Sequence, residues 1–305
     1  MSVPTSTLPR RTPVRRSAAQ RLRRALITAL VFLSIPVALE LIWIWIPVIQ
    51  TVSWSFYRWD GFSIPTWVGG ENYTRLLADP VFHTALLNNG LWVIGMTLVP
   101  IVIGLPLAVV LDDKLRGSRV FASIFFLPIV LSFVVIGLMW SWLYQPDGLF
   151  NDILARFGIQ PIQWLASETT AMPSVLLASM WRHAGYVMLI YLAGLKTVDP
   201  ALLDAVRVDG ANRWQSFWHV TFPSLAPVHV IVVVITIIDS LRAFDLTWVM
   251  TKGGPYNSSD VIATQMYRES VFNFIVGYGS AIATTLFALS LVFVVTYLVR
   301  VLRKD

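Results

Sequence analysis

The chain has 305 residues, of which 56% are hydrophobic and only 13% charged, and its mean hydropathy is +0.68. A water-soluble protein of this size has too little interior to bury so much apolar surface, so the composition all but excludes a soluble enzyme. The absence of cysteine excludes disulfide scaffolds, thiolate metal sites and cysteine nucleophiles. The net charge of +6 is compatible with nucleic-acid binding or with membrane orientation, and the positions of the charges decide between them.

Six stretches are long and apolar enough to cross a bilayer, which takes roughly 20 helical residues. The predicted fold is therefore all-α, a polytopic membrane protein with six transmembrane helices. The predicted spans lie at about 26–50, 88–111, 120–143, 173–195, 227–249 and 279–300. Residues 1–25 are expected to form a basic, disordered cytoplasmic arm, and residues 26–305 the transmembrane domain.

Lys and Arg are concentrated on one side of the predicted membrane. The arm, the loops after the second and fourth spans, and the C-terminal end carry sixteen of the 23 Lys and Arg residues, whereas the opposite side carries five. Because positive charge accumulates on cytoplasmic flanks, both termini are predicted to be cytoplasmic. The basic residues flank spans in a lipid bilayer and form no groove or recognition helix, so no nucleic-acid partner is expected.

The fourth predicted span contains polar and aromatic residues that a purely lipid-facing helix does not need. Arg182 is near its middle, and Trp181, His183 and Tyr186 lie beside it. A charge inside a span is energetically costly and marks a candidate functional site. These side chains can offer hydrogen bonds and ring stacking to a sugar. The four histidines show no metal-ligand spacing and no catalytic arrangement, so neither a metal site nor catalytic residues are predicted.

The connection between the fourth and fifth spans, residues 199–223, is predicted to form two short helices joined at a glycine. Asp199 can cap the first helix, Pro200 can begin it, and Gly210 can end it in the left-handed conformation. The second helix has an aromatic face at i, i+3, i+4 spacing and is expected to end at a proline; these residues are Trp214, Phe217, Trp218 and Pro223. Such a face lies in the lipid interface or fills a groove on a partner protein.

This connection resembles the EAA loop of ABC importer permeases, whose pattern is Glu-Ala-Ala, three residues, Gly, nine residues, Ile, one residue, Leu-Pro. The residues in register are Asp204, Ala205, Val206, Gly210, Val220, Phe222 and Pro223, with similar residue types at the four departures. The core Asp209-Gly210-Ala211 is similar to the carbohydrate and glycerol-phosphate branch, the maltose-type permeases. Residues 244–255 and 277–281 also resemble segments of that branch.

The resemblance implies a type I ABC importer permease fold in a bacterial or archaeal cytoplasmic (inner) membrane. It implies a non-catalytic subunit that takes a sugar (di- or oligosaccharide) or a glycerol-phosphate-type solute from an extracytoplasmic solute-binding protein. The implied partners are a second six-span permease, forming a heterodimer, and two copies of an ATP-binding subunit that bind ATP and Mg²⁺, with no cofactor in this chain. The residues expected to couple to the ATPase are Asp204, Ala205, Val206, Asp209, Gly210, Trp214, Phe217, Trp218 and Pro223.

The fifth predicted span adds further charges. Asp239 and Arg242 are three residues apart on one helix face, and Asp239 is predicted to lie at the depth of Arg182 in the fourth span. Two interpretations are open: either these charges line a substrate path, or an Arg182–Asp239 or Asp239–Arg242 pair only neutralises itself and fixes helix packing. The substrate-path candidates are Trp181, Arg182, Tyr186, Asp239, Arg242 and Asp245.

The sequence also bears on energy coupling. A phosphate-binding loop needs Gly, four residues, Gly-Lys and then Ser or Thr, but the only Lys followed by Ser or Thr is Lys196, and Leu195 precedes it. The chain is therefore not expected to be its own ATPase. An ion-coupled secondary transporter is the alternative function, because six spans and intramembrane acids suit it as well. An intramembrane enzyme is disfavoured because no paired catalytic residues are seen.

Overall fold

The computed structural model describes residues 18–112 and 117–302. By contacts, the chain divides into two units between residues 50 and 51. The first unit contains α1 (Ala18–Glu40), a π-helical turn (Leu41–Trp45) and the start of α2 (Ile46–Trp54). Of the arm expected over residues 1–25, residues 1–17 lie outside the described residues. Residues 18–25 of the expected arm belong to α1.

The second unit is almost entirely helical. Near its beginning is a two-stranded antiparallel hairpin in which Tyr57 faces Trp67 and Arg58 faces Thr66. In chain order the elements are β1 (Tyr57–Arg58), β2 (Thr66–Trp67), α3 (Glu71–Ala78), α4 (Pro80–Asp112), α5 (Ser118–Val130), α6 (Phe133–Leu143), α7 (Leu149–Arg156), α8 (Ala171–Leu195), α9 (Pro200–Val208), α10 (Arg213–Ser216), a π-helical turn (Phe217–Thr221), α11 (Phe222–Ser224), α12 (Ala226–Leu241), α13 (Asp245–Met250), α14 (Ile262–Tyr267), a π-helical turn (Arg268–Phe272) and α15 (Val276–Leu302).

Within the described residues, four helical segments are long and apolar enough to cross a membrane. They are Leu26–Trp54, Pro80–Asp112, Ala171–Leu195 and Val276–Tyr297. Two further segments meet the criterion as bent helix pairs, so the predicted six is reached when each pair counts as one span. The long helices coincide with the predicted first, second, fourth and sixth spans, although α4 starts eight residues before the predicted boundary at 88.

The third and fifth predicted spans are not single helices. Between α5 and α6 the chain bends by 99°, where Leu131 is extended and the Ser132 hydroxyl accepts a hydrogen bond from the Val135 N–H to cap α6. In the fifth span, α12 ends at Leu241 and α13 begins only at Asp245. The apolar run hides the first break from hydropathy, whereas the second is bracketed by Arg242 and Asp245, charges that the sequence shows without showing that the helix ends there.

The helix α8 is the centre of the bundle. It packs along α4 and α5, and its residues Val187, Met188 and Tyr191 are fully buried. Two glycines allow this close approach. A Cβ at Gly104 of α4 would lie 2.8 Å from the Met188 nitrogen, and a Cβ at Gly185 would lie 1.9 Å from the Phe125 carbonyl oxygen of α5. The backbones therefore touch at the two places where a larger side chain would separate the helices.

A polar network joins α14 and the segment before it to α4 and α15. The Asp79 carboxylate accepts hydrogen bonds from the Tyr278 hydroxyl at 2.6 Å and from the Gln265 amide at 2.9 Å. The Asp260 carboxylate is fully buried, accepts a hydrogen bond from the Thr264 hydroxyl and pairs with Arg268. Burial raises the pKa of Asp260 above its ordinary value, against the opposing effects of its hydrogen bond and of the arginine.

Candidate functional site

A cavity of about 380 Å³ lies where α4, α8 and the α5–α6 bend face the break between α12 and α13. Its lining residues are Trp92, Met96, Ile129, Phe133, Ser179, Arg182, His183, Tyr186, Asp239, Arg242, Ala243, Phe244, Asp245 and Leu246. Five of the six substrate-path candidates are therefore brought together. The sixth, Trp181, is not among the lining residues; its ring contacts that of Trp140, with 5.7 Å between centroids.

The break in the fifth span explains how three charges reach the cavity. Arg242 follows the last residue of α12, and Asp245 begins α13, where a carboxylate is favoured by the helix dipole. Asp239 lies two residues before the end of α12. The side chains of Asp239, Arg242 and Asp245 are exposed on the surface of the isolated chain. The cavity is thus open and carries two arginines and two aspartates.

Arg182 is held by the α5–α6 bend. Its Nη2 donates a hydrogen bond to the Ile129 carbonyl at 3.3 Å, and its guanidinium lies 4.0 Å from the ring centroid of Phe133. Among the described residues, Asp239 has no salt bridge within 4.0 Å, either to Arg182 or to Arg242. In this conformation the self-neutralising ion pair is therefore not formed, and Arg182 is oriented by a carbonyl and an aromatic face.

The sequence analysis missed several lining residues. Trp92 of α4 is buried, and its indole N–H has no hydrogen-bond partner within residues 18–112 and 117–302; Phe133 of α6 stacks against Arg182. His183, which neighbours Arg182 in the sequence, is buried, and its Nε2 has no hydrogen-bond partner among the described residues. Trp92 and Phe133 are ordinary apolar span residues in the sequence, so no local pattern distinguishes them. His183 carried a signal, because a buried polar side chain in a span needs a partner.

The segment 199–223 forms two short helices joined at a glycine. The Asp199 carboxylate accepts a hydrogen bond from the Ala201 N–H at 2.8 Å, and Gly210 has a φ of +80°, which favours glycine. Asn212 and Gln215 form a reciprocal capping box at the start of α10. Residues of α9 and the following turn are solvent-exposed or partly exposed; Asp204 is exposed and pairs with Arg207 at 3.2 Å.

The aromatic face differs from the prediction in two respects. Trp214 and Trp218 are 69% and 43% exposed, but together with Phe217 they line a groove of about 500 Å³ against the apolar surface of α4 in the same chain. The face is therefore partly directed at its own bundle. The end of the element is displaced by one residue from the predicted Pro223, because the helical run that begins at Arg213 ends at Ser224.

The family is given by comparison with known proteins. The family model described as "Binding-protein-dependent transport system inner membrane component" matches residues 100–305. The chain belongs to this family. A permease of this kind is a transport subunit and not an enzyme, as its residue pattern predicted, and it is an integral, multi-pass protein of the inner membrane.

Relatives of the permease come from bacteria and archaea. The probable ABC transporter permease protein YurN of Bacillus subtilis (strain 168) is 35% identical over 263 residues, covering 84% of this chain and 90% of that protein. The xylose/arabinose import permease protein XacH of Haloferax volcanii is 32% identical over 248 residues, covering 80% of this chain and 78% of that protein. The segment 199–223 and the cavity both lie within the family match, except for Trp92 and Met96 of α4.

The fold of the permease is that of a solved ABC transporter chain. It superposes with a TM-score of 0.78 on a chain from the crystal structure of a bacterial alginate ABC transporter in complex with alginate pentasaccharide-bound periplasmic protein. The superposition covers 92% of this chain and 95% of that chain at 22% identity. The expected ABC importer permease architecture is thus confirmed at the level of the fold.

Proposed function

We propose that this permease passes a sugar (a di- or oligosaccharide) or a glycerol-phosphate-type solute from an extracytoplasmic binding protein to the cytoplasm, driven by a separate ATPase. The observation that carries this proposal is the open cavity at the break of the fifth span. It combines two arginines, two aspartates and the aromatic rings of Trp92, Phe133, Tyr186 and Phe244. Aromatic faces and charged hydrogen-bonding groups are the chemistry that recognises sugar rings and hydroxyls. The name of XacH, an import permease for xylose and arabinose, supports this class.

The exposure of the intramembrane charges supports a paired permease. Asp239, Arg242 and Asp245 are exposed in the isolated chain, and three such charges in contact with hydrocarbon would be costly. They are stable when this face meets water or protein. A second six-span permease across this face would enclose a central polar pathway, with each bent helix pair acting as one span and both termini in the cytoplasm. Residues 26–305 would then form one transmembrane domain.

Energy would enter through the segment 199–223. Asp204, Ala205, Val206, Asp209 and Gly210 lie on or just after α9, whose exposed surface is free of the bundle. We assign this surface, with Trp214, Phe217, Trp218 and Pro223 behind it, to one of two ATP-binding subunits. ATP and Mg²⁺ would bind to those ATP-binding subunits and not to this chain. Closure of the ATPase would move the segment and alternate the access of the cavity.

The substrate path is tested with Arg182→Ala and Asp239→Ala in the complex of this chain with its partner permease, ATPase and binding protein. Uptake of labelled sugars into proteoliposomes should fall about tenfold or more while the subunits still assemble. Arg156→Ala on the exposed helix α7 is the matched control and should leave uptake unchanged. Loss of assembly in both variants would instead show that the charges fix helix packing. Uptake by this chain alone, driven by an ion gradient, would overturn the proposal in favour of a secondary transporter.

The coupling surface is tested with Asp204→Arg and Gly210→Pro. Proline cannot adopt the φ of +80° at position 210, and arginine reverses the charge at an exposed position of α9. Both variants should insert into the membrane yet lose co-purification of the ATPase subunit. Asp152→Arg makes the same charge change on exposed α7 and should still co-purify with the ATPase subunit. Wild-type uptake and ATP hydrolysis in the 204 and 210 variants would rule the assignment out.

A further inference from the structure

The chain bends by 66° where the segment 199–223 enters the fifth span, between Ser224 and Ala226. The bend interrupts the helical hydrogen bonds, because Pro227 has no N–H to offer to the preceding turn. The carbonyl of Phe222 is left at the end of α11, where it accepts a hydrogen bond from the Leu225 N–H at 3.2 Å.

His229, one turn into α12, fixes this bend from the side. Its Nε2 lies 3.2 Å from the Phe222 carbonyl oxygen, and its ring lies against the Phe222 ring with 4.4 Å between centroids. Its Nδ1 lies 2.8 Å from the hydroxyl of Tyr191 on α8. The Tyr191 side chain is fully buried, so its hydroxyl depends on this partner.

The partners determine the tautomer. A carbonyl oxygen can only accept, so the imidazole must donate through Nε2 to Phe222. In the neutral ring Nδ1 is then the acceptor, and the Tyr191 hydroxyl donates to it. The three groups form a directed chain from α8 through α12 to the end of the segment 199–223. Each of the three groups thus has a hydrogen-bond partner within the same polypeptide.

These hydrogen bonds connect the coupling segment to two of the helices that line the cavity, α8 and α12. On α8, Tyr191 lies five residues, or about 7.5 Å along the axis, from the cavity residue Tyr186. On α12, His229 lies on the same helix as Asp239. Phe222 belongs to the segment itself. A displacement of the segment therefore reaches α8 and α12 together.

We propose that Tyr191, His229 and the Phe222 carbonyl are a mechanical linkage that transmits movement of the coupling segment to the fourth and fifth spans, with His229 as its positioning residue. The inference rests on the proposed function for the role of the segment. A partly buried histidine that only satisfied the bundle would have no need to reach a carbonyl beyond the bend, seven residues before it.

The test separates linkage from packing with three variants in the assembled complex. His229→Leu removes both hydrogen bonds but leaves the Tyr191 hydroxyl unpaired. The double variant Tyr191→Phe/His229→Leu removes that unpaired hydroxyl, so the thermal stability lost in the single variant should return. His229→Gln retains a donor and an acceptor in the same side chain. Transport per ATP hydrolysed should fall about tenfold in both Leu variants and stay within about threefold of wild type in the Gln variant, as expected for a coupling free energy of ordinary size.

A second measurement does not depend on transport. Because the chain has no cysteine, nitroxide labels can be attached at Leu177→Cys on α8 and at Leu138→Cys on α6, which lies outside the linkage; both positions are exposed, and their distance reports movement of the fourth span. ATP should change the distance between the labels in the wild-type and His229→Gln complexes and leave it unchanged in the Tyr191→Phe/His229→Leu complex. Any of three results would overturn the linkage. The double variant could respond to ATP as the wild type does, it could recover coupling together with stability, or the wild type could show no change in distance with ATP. Absence of sugar uptake with a normal distance response would instead reject the proposed substrate.

Discussion

The buried pair of Asp260 and Arg268 gives a quantitative test of the polar network beside α14. Replacing Arg268 by Met keeps the length of the side chain but leaves a fully buried carboxylate without its cation. Breaking a buried pair costs about 3–5 kcal/mol. Because Asp260 keeps its hydrogen bond from Thr264, we expect the lower end, about 3 kcal/mol. For a chain of this size that corresponds to a fall in Tm of about 6–12 °C.

The exposed pair of Arg58 and Glu71 is the matched control. Its side chains are 68% and 56% exposed, so Arg58→Met should cost less than about 1 kcal/mol. Unfolding can be followed in detergent by intrinsic fluorescence, since Trp248 contacts Tyr267, the residue before Arg268, with 4.9 Å between ring centroids. The double variant Asp260→Asn/Arg268→Met should recover more than half of the loss, because no buried charge is left unpaired.

Acidification provides an independent check that the unpaired Asp260 carboxylate causes the loss of stability in Arg268→Met. A carboxyl whose pKa is raised on folding contributes stability that is present at low pH and lost as the pH rises through the folded pKa. Removing Arg268 strengthens this effect, so Arg268→Met should approach wild-type stability as the pH is lowered from 7 toward about 4. Equal Tm values for Arg268→Met and Arg58→Met, or a double variant no more stable than Arg268→Met, would refute the reasoning.

Two further predictions concern a helix contact and an exposed turn. Gly185→Ala should destabilise the chain by about 1–3 kcal/mol, because the new Cβ would meet the Phe125 carbonyl. The control Gly90→Ala, on the open surface of α4, should not lower the Tm. Equal Tm shifts in the two variants would contradict this contact. Hydrogen bonds from the Ser63 and Phe62 amides lower the pKa of Asp60 from its ordinary 3.8 to about 2. The stabilisation that this carboxylate gives the turn is therefore present above pH 3.8 and lost as the pH falls toward 2. Amide exchange at these positions should therefore be enhanced in Asp60→Asn at neutral pH, and an unchanged rate would show that the carboxylate does not hold the turn.

The candidate cavity was predictable in part. Charges inside apolar stretches identified Arg182, Asp239 and Arg242, because the cost of a charge in a membrane is local and visible in one sequence. The residues that surround Arg182, such as Phe133 and Ile129, were not predictable. They reach it only because the third span bends at Leu131. Pro128 and Ser132 are local signals for a helix boundary in the run from 120 to 143, but hydropathy and spacing do not give the 99° angle.

By itself the sequence determined the membrane class, the positions of the long helices and the local structure of the segment 199–223. These depend on apolar length, on caps such as Asp199 and on the φ of a glycine such as Gly210, all of which act over a few residues. Only the tertiary structure decided where two spans break, that Asp239 stays out of a salt bridge, and that His229 joins α8 to the bend before α12. These features arise from contacts between residues far apart in the chain, such as Tyr191 with His229, for which hydropathy and spacing carry no information.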